Sequence, residues 1–368
     1  MQEFSPEEQS MSGARRLAHY YRTRILDGTL SPGEKLPPTL QLAATFEMST
    51  ANVQRALLAL VNEGLIRRMP HHGTIVCGSK LEFRCAAIIH YVDFEAGIPR
   101  YHRALTEALV EELHRRGYEA VTLYGDLRNP NSGHIREAIR NFGIQGIIPL
   151  SAPKEVFNWF KQVNLPIATD SETFRDCRIV FDLEDLARRG PRKLAELGCR
   201  KPGVLLSLPA ELDEKGDSYS RYCCRVLRLL EEEFAAAGMR LTPERMFRFG
   251  SFRPISEKEY ASAAYRAIRK MAALPDAPDG WFVYADVFTD GVVSALIDLG
   301  LQHQPLLLHS NSGIPRFLPL DRLEAVSNQR RMAEELVENL LHQFHGRRAE
   351  PQQLPFTFQF RSADCFPY

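Results

Sequence analysis

The apolar positions of the first eighty residues recur at helical spacing three times and then give way to short extended runs. From about Ser12 to Leu26, the set Leu17, Ala18, Tyr21, Ile25 and Leu26 marks one helix face, with Gly28 as the stop. The loop LSPGEKLPP, stiffened by its prolines, leads to a short helix from Thr39 to about Phe46, with Thr39 placed as N-cap. A third helix opens at Ser49 or Thr50 and turns Val53, Ala56, Leu57 and Leu60 inward. It ends at Gly64, where a left-handed residue fits. The stretch LIRRMPHHGTIV then reads as two strands, Leu65–Arg68 and Thr74–Val76, around a turn containing Pro70 and Gly73.

From Arg84 onward the pattern changes to apolar runs alternating with amphipathic stretches. CAAIIHYV precedes YHRALTEALVEELHRRG, YEAVTLY precedes SGHIREAIRNFG, and IQGIIPL, KEVFNWFKQV and LPIATD follow. Such alternation predicts a parallel sheet covered on both faces. The pattern restarts at LEDLARRGPRKLAELG, with KPGVLLSL, RMFRFG, GWFVYA and PLLLHS as strands between helices, and closes with EAVSN, RRMAEELVENLLHQF and PFTFQF. The expected fold class is therefore α/β: an N-terminal winged helix-turn-helix plus a two-lobed, doubly wound domain with a cleft between the lobes. The boundaries expected are 1–80 for the head and 81–368 for the two lobes. The N-lobe takes about 84–183 plus 328–345, the C-lobe about 184–327 plus 346–368.

Composition narrows the function. At 368 residues the chain suits one small and one large domain, and 44% hydrophobic with 25% charged residues describes a globular protein. The opening MQEFSPEEQSMSGARR does not read as a signal peptide, and no apolar run is long enough to span a bilayer, so a cytoplasmic protein without a membrane partner is expected. Seven scattered cysteines without a CxxC pair argue for reduced thiols and against a metal site. The net charge is zero; residues 1–80 hold nine Lys/Arg against seven Asp/Glu, a weak basic bias. No GxSxG, HExxH or P-loop pattern occurs, so neither catalytic residues nor a cofactor are expected.

A short helix, a tight turn and a second helix with small inward residues make a helix-turn-helix, and a basic hairpin beside it makes a wing. The polar outer face, Thr50, Asn52, Gln54 and Arg55 with Ser49 and Thr39 at the two helix starts, suits base edges and phosphates; His72 and Gly73 at the wing tip suit the DNA backbone. The whole stretch LPPTLQLAATFEMSTANVQRALLALVNEGLIRRMPHHGTIV resembles the winged-helix domain of GntR-type transcription regulators, matching at Leu36, Pro37, Leu42, Ala43, Ser49, Val53, Ala56, Leu57, Gly64, Leu65, Ile66, Gly73, Thr74 and Val76. It departs from the pattern at Pro38, Leu40, Thr50 and Gln54, where the family has a serine and then arginines. Each lost phosphate contact weakens binding and lowers its salt slope by about one.

Residues 84–362 resemble the periplasmic-binding-protein-like sensor of the lactose-repressor (LacI) type, carried by RRGPRKLAELGCRKPGVLL, SYSRYCCRVLRLLEEEFAAAGM and GWFVYADVFTDGVVSALIDLGL. The order of head and sensor is that of arabinose-operon-type repressors. A sugar-like ligand wants carboxylates or amides for vicinal hydroxyls, an arginine fork and aromatic faces. Strand ends offer Asp93, Tyr101, Asp170, Arg221, Phe252, Asp286 and Asn311 as effector-binding candidates. Asp170 and Asp286 could instead cap helices, Arg221 could pair with Asp217, and the aromatics could be core. Ala285 and Asn311 depart from the family's Asn and Asp.

The resemblance implies a ligand-responsive regulator, a repressor, that binds double-stranded operator DNA as a homodimer and senses a sugar-like small molecule in the cleft. Two other readings are a degenerate sensor that serves dimerisation alone and a pyridoxal-phosphate enzyme fusion. The second needs a larger domain and a Schiff-base lysine loop that the sequence lacks.

Overall fold

The computed structural model describes residues 13–69, 73–77, 83–92, 98–126, 133–150, 152, 156, 159–160, 165–171, 177–250, 255–314, 316–345 and 347–363. The head comprises α1 (Gly13–Leu26), β1 (Lys35–Leu36), α2 (Thr39–Thr45), α3 (Thr50–Asn62), β2 (Ile66–Met69) and β3 (Gly73–Val76). Its sheet is antiparallel in the order β1-β3-β2, with Arg67 opposite Ile75 and Arg68 opposite Thr74. The proline-stiffened loop thus contributes a strand that sequence reading took for irregular chain, Lys35 pairing with Ile75. Leu17, Ile25, Leu42, Val53, Leu57, Leu60, Leu65 and Val76 close the core of the head.

Ser49 caps α3, its hydroxyl oxygen accepting the Asn52 N–H at 3.3 Å. Thr39 does not cap α2. Pro38 holds that position with φ −57° and ψ 152°, and Thr39 is the first helical residue. An N-cap needs extended backbone, which proline supplies without a side-chain acceptor. At the wing tip, Gly73 has φ 87°, a value that disfavours any side chain with a Cβ.

The first lobe carries β4 (Cys85–Val92), α4 (Arg100–Arg115), β5 (Glu119–Asp126), α5 (Gly133–Asn141) and β6 (Gly146–Leu150). Its strands are parallel in the order β5-β4-β6, and bridges at Ile147–Ile167 and Thr169–Arg178 extend the ladder towards β7 (Ile179–Phe181). Successive residues of β4 go to opposite faces: Ala86 and Ile88 join the cluster with Leu105 and Leu336, Ala87 and Ile89 the one with Ile135 and Phe160.

The second lobe holds α6 (Leu183–Glu196), β8 (Pro202–Leu206), α7 (Ser218–Ala236), β9 (Met246–Arg248), α8 (Glu257–Ala272), β10 (Gly280–Tyr284), α9 (Thr289–Asp298), β11 (Leu306–Asn311) and β12 (Arg322–Ser327). After α10 (Gln329–Phe344), which returns to pack on α4, the chain adds β13 (Gln352–Leu354) and β14 (Thr357–Arg361). The six-stranded order is β14-β12-β11-β10-β8-β9, parallel except for β14. Val204, Leu206, Phe282 and Leu307 pack under α6 and α7, while Leu205, Trp281, Val283 and Leu306 pack under α8 and α9. This is the doubly wound plan.

The tail differs from the expected boundary. β13 pairs in parallel with β7, Leu354 opposite Phe181, so residues 352–354 run beside the first lobe's last strand and β14 alone joins the second lobe's sheet. Strand pairing cannot be read from a three-residue apolar pattern, and sequence reading assigned the whole tail to one side. Among the described residues no helix is long and apolar enough to cross a membrane.

Candidate nucleic-acid interface and ligand cleft

On the head, α3 buries Val53, Ala56, Leu57 and Leu60 and leaves Ser49, Thr50, Gln54 and Arg55 exposed at its N-terminal half. Asn52 is half-buried, because its side chain lies towards α1; a Cβ on Gly13 would sit 3.5 Å from its amide nitrogen. Thr39 is half-buried at the start of α2. Gly73 is exposed at the start of β3, while His72 lies outside the described residues. Sequence reading left Arg67 and Arg68 out of the candidates; both are exposed on β2, which packs on α3, and as strand neighbours they project to opposite faces. Leu40 and Leu58 are exposed on α2 and α3, 76% and 56%, which makes this face part apolar.

The cleft between the lobes holds a cavity of about 410 Å³. From the first lobe come Tyr101, at the start of α4, and Asp170, after the bridge at Thr169. Burial raises the Tyr101 hydroxyl well above the ordinary phenol range, and the nearby Asp170 carboxylate raises it further. From the second lobe come Asp286, Asn311 and His309 at the ends of β10 and β11. Four of the seven effector candidates, Tyr101, Asp170, Asp286 and Asn311, therefore meet in one cavity.

The other three do not join them. Asp93 and Phe252 lie outside the described residues. Arg221 is exposed on α7 and donates to the Gly216 carbonyl at 3.0 Å, so it neither lines the cavity nor pairs with Asp217. The α-helical turn of 100° per residue presents its neighbour Tyr222 to the cleft instead. Asp286 does not cap a helix; it is the first residue of a short 3-10 turn whose N-cap is Ala285.

Tyr219, Tyr222, Tyr260 and Tyr284 also line the cavity and were missed. For Tyr219 and Tyr222 the signal existed, as both lie at the start of a helix that begins at a strand end. Burial raises all three of Tyr219, Tyr222 and Tyr284, the last to about 12, with Asp286 adding to that shift.

The floor of the cleft is held by an uncharged histidine. Asp286 N–H donates to His309 Nδ1 at 3.1 Å, so His309 carries its proton on Nε2 and donates it to Ser327 Oγ at 3.0 Å. Ser327 in turn donates to Asn311 Oδ1 at 2.6 Å, and Gln329 Nε2 donates to the same oxygen at 2.7 Å. Asn311 Nδ2 is left buried with no partner among the described residues. Burial lowers the His309 pKa to about 4, which keeps this arrangement intact at neutrality.

An ionic chain crosses the mouth of the cleft. Arg100, first residue of α4, donates its N–H to Glu257 at 2.7 Å and its Nε to the same carboxylate at 3.0 Å. It also reaches Asp290 at 3.2 Å. Arg316 continues the chain, 3.8 Å from Asp290 and 3.4 Å from the Asp286 carboxylate, and donates to the Asp286 carbonyl at 2.9 Å. Arg100 belongs to one lobe and the rest to the other, so these contacts hold the lobes together. Being part-exposed, such pairs are worth roughly 0.2–1 kcal/mol each. Arg100→Ala should therefore favour the open form by about five-fold, and the radius of gyration in solution scattering should rise. Unchanged scattering would mean that the lobes are held by other contacts.

The head and the two-lobed part are each similar to domains of known proteins, the head in sequence and the two-lobed part in fold. Residues 14–76 match the family described as bacterial regulatory proteins, gntR family. Over 61 residues the chain is 41% identical to the HTH-type transcriptional repressor NagR of Bacillus subtilis, a match that covers 17% of this chain and 25% of that protein. The chain thus spans about a quarter of the length of that relative. The two-lobed part is similar in structure to a putative LacI transcriptional regulator from Bacillus cereus subsp. cytotoxis, with TM-score 0.58 and 15% identity over 78% of this chain and 100% of that one. It is similar also to the Cra transcriptional dual regulator of Pseudomonas putida, solved in complex with fructose 1-phosphate, with TM-score 0.56 and 16% identity over 76% of this chain and 99% of that one.

Proposed function

We propose that this protein is a ligand-responsive, DNA-binding transcription regulator, a repressor that acts in the cytoplasm as a homodimer. The observation that carries the reading is the joining of two unlike sites in one chain. One is an exposed helix start bearing Thr50, Gln54 and Arg55 beside the Arg67–Arg68 wing strand. The other is an interlobe cavity lined from both lobes by Tyr101, Asp170, Asp286 and Asn311.

The head takes double-stranded operator DNA, with α3 in the major groove and the wing on the backbone. The cleft takes a small, ring-bearing, sugar-like effector: tyrosine faces stack on its ring and Asp170, Asp286 and Asn311 take its polar groups. Ligand shifts the balance between two lobe arrangements, and that balance sets the separation of two heads. Such coupling is typically about 1–3 kcal/mol and is reciprocal. The activity is binding, with no chemical step in it.

Duplex binding across a salt series tests the reading. Affinity should fall steeply with salt, and Arg55→Ala or Arg68→Ala should each reduce the slope by about one if the guanidinium meets a phosphate. Affinity that does not respond to salt would rule out a DNA-reading head.

A further inference from the structure

The amide of Asn311 ends a hydrogen-bonded chain whose direction is set by the backbone at both ends. Asn311 is buried, 4% exposed, at the end of β11, and it lines the cleft cavity. At one end the Asp286 N–H donates to His309 Nδ1, which leaves the imidazole proton on Nε2 to be donated to Ser327 Oγ. The Ser327 hydroxyl then donates to Asn311 Oδ1. At the other end the Gln329 N–H donates to Ser312 Oγ at 2.9 Å, and the Ser312 hydroxyl donates to Gln329 Oε1 at 3.0 Å. Gln329 thus turns its Nε2 donor towards Asn311 Oδ1, 2.7 Å away. A backbone N–H can only donate, so neither end reverses.

Two donors therefore meet at Asn311 Oδ1 and fix which way the amide faces. Its Nδ2 is buried and has no acceptor among the described residues. A buried N–H without an acceptor is costly, and in a cavity wall it marks a place where a bound molecule can accept. The chain itself has no acceptor to give in return. His309 Nδ1, Ser327 Oγ and Asn311 Oδ1 each accept already. A ligand hydroxyl that accepted from Nδ2 would find no place on this chain for its own proton, whereas a carbonyl oxygen carries none.

We infer that the cleft selects an effector whose ring presents a carbonyl oxygen to Asn311, and discriminates against the same ring with an amino or hydroxyl group at that point. Asn311 sets the preference. Gln329, which does not line the cavity, is a positioning residue that acts through the Asn311 amide. This inference rests on the proposal that the cleft is the effector site, and it adds the hydrogen-bonding sense of one effector group.

Matched pairs of probes test it on the full-length protein by calorimetry. Inosine against adenosine exchanges an exocyclic carbonyl oxygen for an amino group, and scyllo-inosose against scyllo-inositol exchanges a ring carbonyl for a hydroxyl. The carbonyl member of at least one pair should bind at least about ten-fold more tightly than its partner, a difference of about 1.4 kcal/mol. Asn311→Asp, which keeps the shape of the wall and puts an acceptor in place of Nδ2, should reverse that preference. Gln329→Glu, whose carboxylate cannot donate to Asn311, should abolish it, and a circular-dichroism spectrum like that of the unsubstituted protein verifies that each variant is folded. Variants that weaken both members of a pair alike overturn the role given to these two residues. Equal binding within both pairs, or tighter binding of the amino or hydroxyl member, would overturn the carbonyl inference and leave the effector-cleft proposal standing. No binding by any of the four probes overturns the inference and the effector-cleft proposal together. The reading of the head is scored apart from all of these, by the duplex assay.

Discussion

Acidification from neutrality to about pH 5 is expected to destabilise this protein steeply, because three imidazoles are buried in the neutral form. His90, His102 and His309 are each lowered from 6.5 to about 4, burial being the first cause in every case. His90 sits beside His102, whose charge lowers it further; Arg316 lowers His309 while Asp286 opposes. The folded protein leaves these groups unprotonated where the unfolded chain, near 6.5, takes protons up. Stability is therefore full above the unfolded value, falls as pH drops towards about 4, and levels off once the folded groups also titrate. Each group contributes up to about 1.4 kcal/mol per pH unit inside that window.

The geometry gives the cost a location. His90 Nε2 and Thr106 Oγ1 are 2.8 Å apart, and its Nδ1 is buried with no partner among the described residues. A second N–H on that ring would be left unsatisfied. On His309 a proton at Nδ1 would displace the Asp286 N–H and loosen the floor of the cleft. Urea unfolding across a pH series measures the slope. His309→Gln should reduce it by about a third, since one of three equal contributors is gone. A flat profile between pH 5 and 7 would contradict the neutral assignments.

Trp281→Ala should cost about 3–5 kcal/mol. Trp281 is fully buried in the central strand β10 of the second lobe. Its indole N–H donates to Gln304 Oε1 at 2.7 Å, and its ring fills the space above Gly203, where a Cβ would fall 2.5 Å from it. Truncation leaves a cavity that the flanking strands cannot collapse to fill, because β8 and β11 are paired on both sides. It also strands the Gln304 amide. The same strand delivers Tyr284 and Asp286 to the cleft, so effector binding should weaken together with stability. Trp281→Phe, which keeps most of the packing, should lose less than half as much. Denaturant midpoints measure both variants, and equal losses would place the cost in the lost hydrogen bond and not in the cavity.

Much of this architecture is legible in the order of apolar positions. The three helical faces of the head, the alternation of strand and helix and its restart near Leu183 follow from 3.6 and 2.0 periodicities that core burial enforces locally. The same is true of Ser49, whose cap is a contact three residues away. Side chains at strand ends are also legible as candidates, and four of those named, Tyr101, Asp170, Asp286 and Asn311, line one cavity. Arg221 was not, because one residue on a helix is a 100° rotation, and sequence spacing alone does not tell which neighbour faces the cleft.

What local pattern could not decide are relations between distant residues. The pairing of β13 with β7, the bond from Asp286 to His309 and the Arg100–Glu257–Asp290–Arg316 chain join segments far apart in sequence. The amino-acid order sets which elements form, since each buries its own apolar stripe. Which charges meet across the cleft is settled when the two lobes pack, because a carboxylate's partner depends on three-dimensional position and leaves no periodic trace in the chain.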